Sequence, residues 1–196
     1  MHELWGKLQL FDKQQKMTFN KMVKQILVLG IIVSIFGCKK VDKLTQFKMV
    51  FNETEVIPSS TGINLPFNIL TPDIVTNSES TFAVNDTRKD LIEEITLTTL
   101  SLTISSPSNA DFSFLQSINV YISADGLNEV KIAWKENVPA DVSVLNLDIT
   151  GVDLKEYIKA DQFSLRLNTV TDELLTSDHQ IDIHSEFFVD AKILGQ

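Results

Sequence analysis

Ile181-Asp182-Ile183-His184-Ser185-Glu186-Phe187-Phe188-Val189 places apolar residues at nearly every odd position and polar ones at most even positions. Side chains of a β-strand point alternately to its two faces. This stretch therefore reads as a strand with Ile181, Ile183, Phe187 and Val189 toward a core and Asp182, His184, Glu186 and Phe188 outside. The same period recurs in Ile63-Asn64-Leu65-Pro66-Phe67-Asn68-Ile69, Ile118-Asn119-Val120-Tyr121-Ile122-Ser123-Ala124, Val130-Lys131-Ile132-Ala133-Trp134 and Phe163-Ser164-Leu165-Arg166-Leu167. Pro66 has no N–H to give a neighbouring strand, which predicts an edge position for the first of these. Ile118, Val120, Ile122, Leu165, Leu167, Ile181, Ile183 and Phe187 are expected to share one core.

Two stretches change phase. Ile95 and Leu97 are odd whereas Leu100, Leu102 and Ile104 are even, and Val142 and Val144 give way to Leu145, Leu147 and Ile149. One extra residue swaps the faces of a strand, so a bulge or a change of sheet is expected near Thr98–Thr99 and near Val144–Leu145. Helical signals are brief. Thr87-Arg88-Lys89-Asp90 has the reach of a capping box leading into Leu91, Ile92 and Ile95, and Leu154, Tyr157 and Ile158 fall at i, i+3, i+4. Seven or more short strands, turns such as Ala124-Asp125-Gly126-Leu127 and Ile149-Thr150-Gly151, and no βα alternation predict an all-β fold. The expected architecture is an antiparallel β-sandwich, immunoglobulin-like or jelly-roll-like, with one or two short helices. Phe163–Val170 and Ile181–Ile193 are expected to pair as a C-terminal hairpin across the polar stretch Thr171–His179.

The N-terminal part has a different character. Basic residues Lys21 and Lys24 precede the run Ile26-Leu27-Val28-Leu29-Gly30-Ile31-Ile32-Val33-Ser34-Ile35-Phe36-Gly37, and Cys38 follows it. As a helix this run extends about 18 Å, short of the ~30 Å hydrocarbon core, so it reads as a secretory signal rather than a permanent span. Residues 1–16 show no periodic apolar face, and Met17 is the better start. Ile35-Phe36-Gly37-Cys38 resembles the lipobox of bacterial lipoproteins: an aliphatic residue, a second small or aliphatic one, a small one, then cysteine. Phe36 is bulkier than the usual second residue. The resemblance covers residues 17–38. It implies diacylglyceryl transfer to the Cys38 thiol, cleavage after Gly37, acylation of the new amine, and a lipid-anchored location in the cell envelope. If sorting follows the Gram-negative route, Lys39 after the cysteine implies the outer membrane. The domain organisation expected is then a leader and signal helix over 1–37, a lipidated cysteine and lysine-bearing tether over 38–46, and one sandwich domain over 47–196.

Charge narrows the partners. Twelve of the 17 basic and 24 of the 26 acidic residues lie beyond Cys38, giving that part a net charge of −12. Such a field repels nucleic acid, and no basic stripe offsets it. The sole cysteine is Cys38 itself, so neither disulfides nor cysteine-type zinc sites are available to the domain. Gly62, Gly126, Gly151 and Gly195 are too dispersed for a phosphate-cradling loop or a nucleophile elbow.

Three clusters contain ligand-type residues. Asp182 and His184 share a strand face near Asp178 and His179, but Ile181 and Ile183 turn that face outward into solvent. Asn146, Asp148 and Asp153 offer oxygen ligands at a spacing that matches no known calcium loop. Adjacent acids such as Glu93-Glu94 and Asp172-Glu173 point apart on any regular element. No catalytic residues, metal ligands or cofactors are therefore expected. Tyr121 and Phe188, aromatics on the outward phase, are the candidate binding residues. The function expected is a non-catalytic envelope lipoprotein, held in the membrane by lipid on Cys38, whose sandwich binds a protein or glycan partner. A structural subunit of an envelope assembly is the alternative, and a hydrolytic enzyme is less favoured.

Overall fold

The computed structural model describes residues 46–59 and 66–192, all within the unit Thr45–Gln196. The expectations for the leader, the signal helix, Cys38 and nearly all of the tether lie outside the described residues, as do Ile63–Leu65 and Ile193.

Ten strands are described: β1 (Gln46–Ile57), β2 (Pro66–Leu70), β3 (Ile74–Val75), β4 (Ile92–Ser106), β5 (Leu115–Ser123), β6 (Val130–Glu136), β7 (Val144–Asn146), β8 (Asp148–Ile149), β9 (Gln162–Thr171) and β10 (His179–Ala191). Two short helices, α1 (Ser78–Val84) and α2 (Lys155–Lys159), and 3-10 turns at Lys89–Leu91 and Phe112–Phe114 complete the set. One sheet has the order β1-β10-β4-β7, and the other β2-β9-β5-β6-β8, with β3 also on β9. All pairings are antiparallel, and four of them nest: β1 with β10, β2 with β9, β4 with β7, β5 with β6. A nested antiparallel ladder folded over on itself as two sheets is a jelly-roll sandwich. Of the two sandwich topologies compatible with the sequence, the strand order selects this one.

The core lies between the sheets. The eight residues expected to share it are all buried, together with Phe163, Val189 and the phenylalanines 82, 112 and 114. Each fully buried large apolar side chain contributes roughly 1.5–3 kcal/mol. The centre is aromatic: the Phe51 ring meets Phe163 at 5.1 Å and Phe187 at 5.7 Å, and Phe163 meets Phe187 at 6.0 Å, all edge-on. Edge-on contact brings the positive rim of one ring to the negative face of the next.

The C-terminal hairpin is not formed. β9 pairs with β2 and β5, and β10 pairs with β1 and β4, so the two strands belong to opposite sheets. Their inward phase was read correctly because both line the same core. Alternation fixes the face a residue takes, however, and not the strand beside it. Among the described strands only β5 and β6 pair as consecutive neighbours, across the turn at Gly126. Gly126 has φ +71°, a left-handed conformation that glycine adopts without strain.

The phase change near Thr98–Thr99 is a bulge. Thr99 pairs with Glu186 and Leu97 with Phe187, leaving Thr98 unmatched, and its hydroxyl donates to the Glu186 carbonyl at 3.0 Å. No irregularity falls at Val144–Leu145: β7 pairs in regular register with β4, Val144 simply opens it as an exposed outward residue, and the chain changes sheet further on, at Leu147, between β7 in the first sheet and β8 in the second. A further bulge was not anticipated. Val120 pairs with Ala133 but Tyr121 with Lys131, so Ile132 and Ala133 are both buried and Trp134 turns outward opposite Asn119. The alternation expected through Val130–Trp134 thus breaks at Ile132.

Thr87–Asp90 does not start an α-helix. A single 3-10 turn follows, with Arg88 at its cap, and the Thr87 hydroxyl donates to the Lys192 carbonyl at 2.6 Å instead of capping a backbone N–H. Ile92 and Ile95 are then claimed by β4, where burial against the opposite sheet outweighs a weak local preference. The second helical signal is realised as α2, with Leu154 and Ile158 buried. Pro66 does open an edge strand, as expected. β1 was not anticipated, because Glu53 and Glu55 occupy its inward phase and interrupt the apolar pattern of Phe47, Met49 and Phe51. Inward charges on an edge strand are a known device against pairing with a further strand. Burial, then repulsion from Glu53, raises the Glu55 carboxyl above the ordinary range.

Candidate binding faces

The fold places Tyr121 and Phe188 on opposite outer faces of the sandwich. Tyr121 stands on the β2-β9-β5-β6 sheet between Arg166 and Lys131, whereas Phe188 stands on the β1-β10-β4 sheet between Lys48 and Thr96. They cannot form one site.

The face around Tyr121 is built in rows across the strands. One row runs Asn68, Asn168, Asn119, Trp134, Asp148 on β2, β9, β5, β6 and β8. The next runs Leu70, Arg166, Tyr121, Lys131. A side chain directly opposite on the neighbouring strand is about 4.5–5.5 Å away at Cβ, close enough for each row to interact along its length. The Arg166 guanidinium stacks over the Tyr121 ring at 4.3 Å, and the Lys131 ammonium lies 5.4 Å from the Trp134 ring. Arg166 is held on its other sides. Its Nε and Nη2 donate to the two carboxylate oxygens of Glu129 at 2.7 and 2.6 Å, and its Nη1 donates to Asn68 Oδ1 at 2.7 Å. Asn168 Nδ2 donates to the same Asn68 oxygen at 3.0 Å. The Arg166 hydrogen bonds keep the Glu129 carboxyl below its ordinary range. Trp134 was not expected here, since the β6 bulge that turns it outward leaves no trace in the alternation.

The face around Phe188 is a lattice of hydroxyls and ion pairs. Lys48 Nζ meets Glu186 Oε1 at 2.6 Å and lowers that carboxyl. The Thr54 hydroxyl donates to Asp182 at 2.8 Å. His184 Nδ1 lies 2.8 Å from Asn52 Oδ1. Asp182 and His184 do share this face, as the strand period required, but each is bound to β1 rather than to the other. His179 is buried against the Phe114 ring at 5.1 Å, and its Nδ1 is 2.9 Å from the Ser177 carbonyl. Asp178 accepts the Ser59 N–H at 2.8 Å, which lowers its carboxyl.

The oxygen-ligand residues are likewise separated. Asn146 is on the first sheet, and Asp148 pairs with Lys135 at 3.3 Å on the second. Burial pushes the Asp153 carboxyl up, but the N–H groups of Lys155 and Ile95 and the Lys155 ammonium outweigh it and hold the group low. Among the described residues no group of three or more metal-ligating side chains converges.

No known protein family matches the chain, and no curated protein matches it. Solved structures resemble it weakly. Desmodium yellow mottle tymovirus matches at 12% identity and a TM-score of 0.28, covering 76% of this chain and 91% of that one. Tomato aspermy virus matches at 14% and 0.28 over 74% and 79%, and FLHE at 7% and 0.31 over 74% and 98%. What the described residues define by themselves is an all-β sandwich with two dissimilar outer faces.

Proposed function

We propose that this chain is the precursor of a non-catalytic envelope lipoprotein, anchored by lipid on Cys38, whose sandwich binds a protein or glycan partner through the outer face of β2-β9-β5-β6. The observation that carries the binding reading is the placement of Tyr121 and Trp134 on that face, beside a network that locks Arg166, Glu129, Asn68 and Asn168 in position. Pre-ordered side chains lose little entropy when a partner arrives, and half-buried aromatics supply contact area with few torsions to freeze. The anchor is supported by the short apolar run that ends in Gly37-Cys38. Two or three acyl chains hold a protein in a bilayer without any other membrane element, at ~0.8 kcal/mol per buried methylene.

Two measurements test the reading. Intact mass of the mature protein is expected to show an acylated Cys38 at the N-terminus with nothing before it, and Cys38→Ala is expected to abolish both acylation and cleavage. A Cys38→Ala protein that is processed and fractionates like the wild type would refute the anchor. A photocrosslinker at position 119 in native membranes is expected to capture a partner that one at position 188 does not. The alternative, a structural subunit of an envelope assembly, is favoured by Val50, Val56 and Val144, which are exposed on the other sheet. Capture from position 188 alone would support it.

A further inference from the structure

We propose that the face of β2-β9-β5-β6 binds an uncharged polysaccharide, laid across the strands along the Asn68–Asn168–Asn119–Trp134 row with Tyr121 flanking it. The proposal rests on the reading of this face as the binding face and names its ligand. Charge is the first reason. Lys131 and Arg166 on the face, with Lys135 at its border on the inward phase opposite Ile118, are matched by Glu129, Glu136 and Asp148; Arg166 pairs with Glu129 on the face at 2.6 Å, and Lys135 reaches Asp148 from the border at 3.3 Å. The part of the chain beyond Cys38 carries −12, so this is a balanced patch on a strongly acidic body. A polyanion gains nothing from a balanced patch and is repelled by the body around it. A cationic partner finds better complementarity almost anywhere else on the domain.

Chemistry is the second reason. The row offers three side-chain amides in register, and an amide both donates and accepts. Asn68 and Asn168 spend one atom each on the internal network, which aligns what remains, while Asn119 has no side-chain partner among the described residues. Aromatic rings sit at the end of this row and at the middle of the next. Sugars present the complementary pattern, hydroxyls at the rim that exchange hydrogen bonds with amides and C–H faces that pack on aromatic rings. Three strand spacings of ~4.8 Å make the row about 14 Å long, enough for a short oligosaccharide stretch. A protein interface, by contrast, concentrates its apolar residues at the centre and excludes charge there. Here the centre holds the Arg166–Glu129 pair.

The test is affinity electrophoresis of the full-length, detergent-solubilised protein in native gels containing either uncharged polysaccharides (a β-glucan, a mannan, a galactan) or polygalacturonate. At least one uncharged polymer is expected to retard the protein, and polygalacturonate is expected to have no effect. Trp134→Ala and Asn119→Ala are each expected to weaken the retardation constant about tenfold or more, with Phe188→Ala unchanged. Trp134→Phe keeps a ring in place and is expected to retain binding, which separates loss of the ring from failure to fold. Thermal melts of every variant check that each one folds. The proposal is overturned if none of the uncharged polymers retards the protein, if polygalacturonate alone does, or if Phe188→Ala loses as much as Trp134→Ala. Capture of a protein by a crosslinker at position 119, with no retardation by any uncharged polymer, would leave the binding face standing and overturn the polysaccharide.

Discussion

Truncating Phe187 to Ala removes a ring that is fully buried and touches Phe51 and Phe163 edge-on at 5.7 and 6.0 Å. Phe→Ala changes in cores cost about 3–5 kcal/mol, the lost transfer energy plus the cavity left behind. The site has little room to collapse, because Phe187 sits on β10 between β1 and β4 with backbone pairing on both sides. We therefore expect a loss of about 4 kcal/mol. For a chain of this size each kcal/mol lowers Tm by roughly 2–4 °C, so the melt should fall by roughly 8–16 °C. Phe188, one residue on, points to the outer face and is half-buried between Lys48 and Thr96. Its truncation exposes no cavity and should stay within about 1 kcal/mol. Paired thermal melts followed by circular dichroism compare the two. Equal losses, or a larger loss for Phe188→Ala, would mean that the phase of β10 is inverted and with it the assignment of inner and outer faces.

Other perturbations probe single features of the fold. Glu55→Gln should stabilise the protein at neutral pH, because burial and Glu53 raise the folded-state pKa of Glu55 and its ionised form therefore opposes folding. Such a group binds more protons folded than unfolded, so the advantage of the variant should shrink as pH falls through the Glu55 titration; an advantage that grows in acid, seen in chemical denaturation at several pH values, would refute the assignment. Gly126→Ala should cost about 1 kcal/mol in the same denaturation measurement through its left-handed φ alone, since a Cβ there meets nothing within 4 Å. A loss several times larger would point instead to a steric role for the β5–β6 turn.

The sequence alone carried the class of fold, the inward face of almost every strand it identified, the edge position of Pro66 and an irregularity near Thr98–Thr99, without distinguishing a bulge from a change of sheet. All of these are local consequences of side-chain period and of proline's missing N–H, and burial enforces them residue by residue. It also placed Tyr121 and Phe188 on outward phases, correctly, since an outer position needs no knowledge of the neighbouring strand. Strand pairing was not legible in the sequence and follows from long-range packing. β9 and β10 carry equally good inward phases, and nothing in either sequence distinguishes a hairpin from two strands facing each other across a core. The jelly-roll order, and with it the separation of Tyr121 from Phe188, comes from long-range pairings that no single stretch encodes. β1 was illegible because Glu53 and Glu55 guard an edge at the expense of the apolar pattern. The apolar residues Val130, Ile132 and Trp134 share the even phase and put Trp134 inward, because the bulge falls between Ile132 and Ala133, both buried, and alternation alone does not show that one residue there is unmatched.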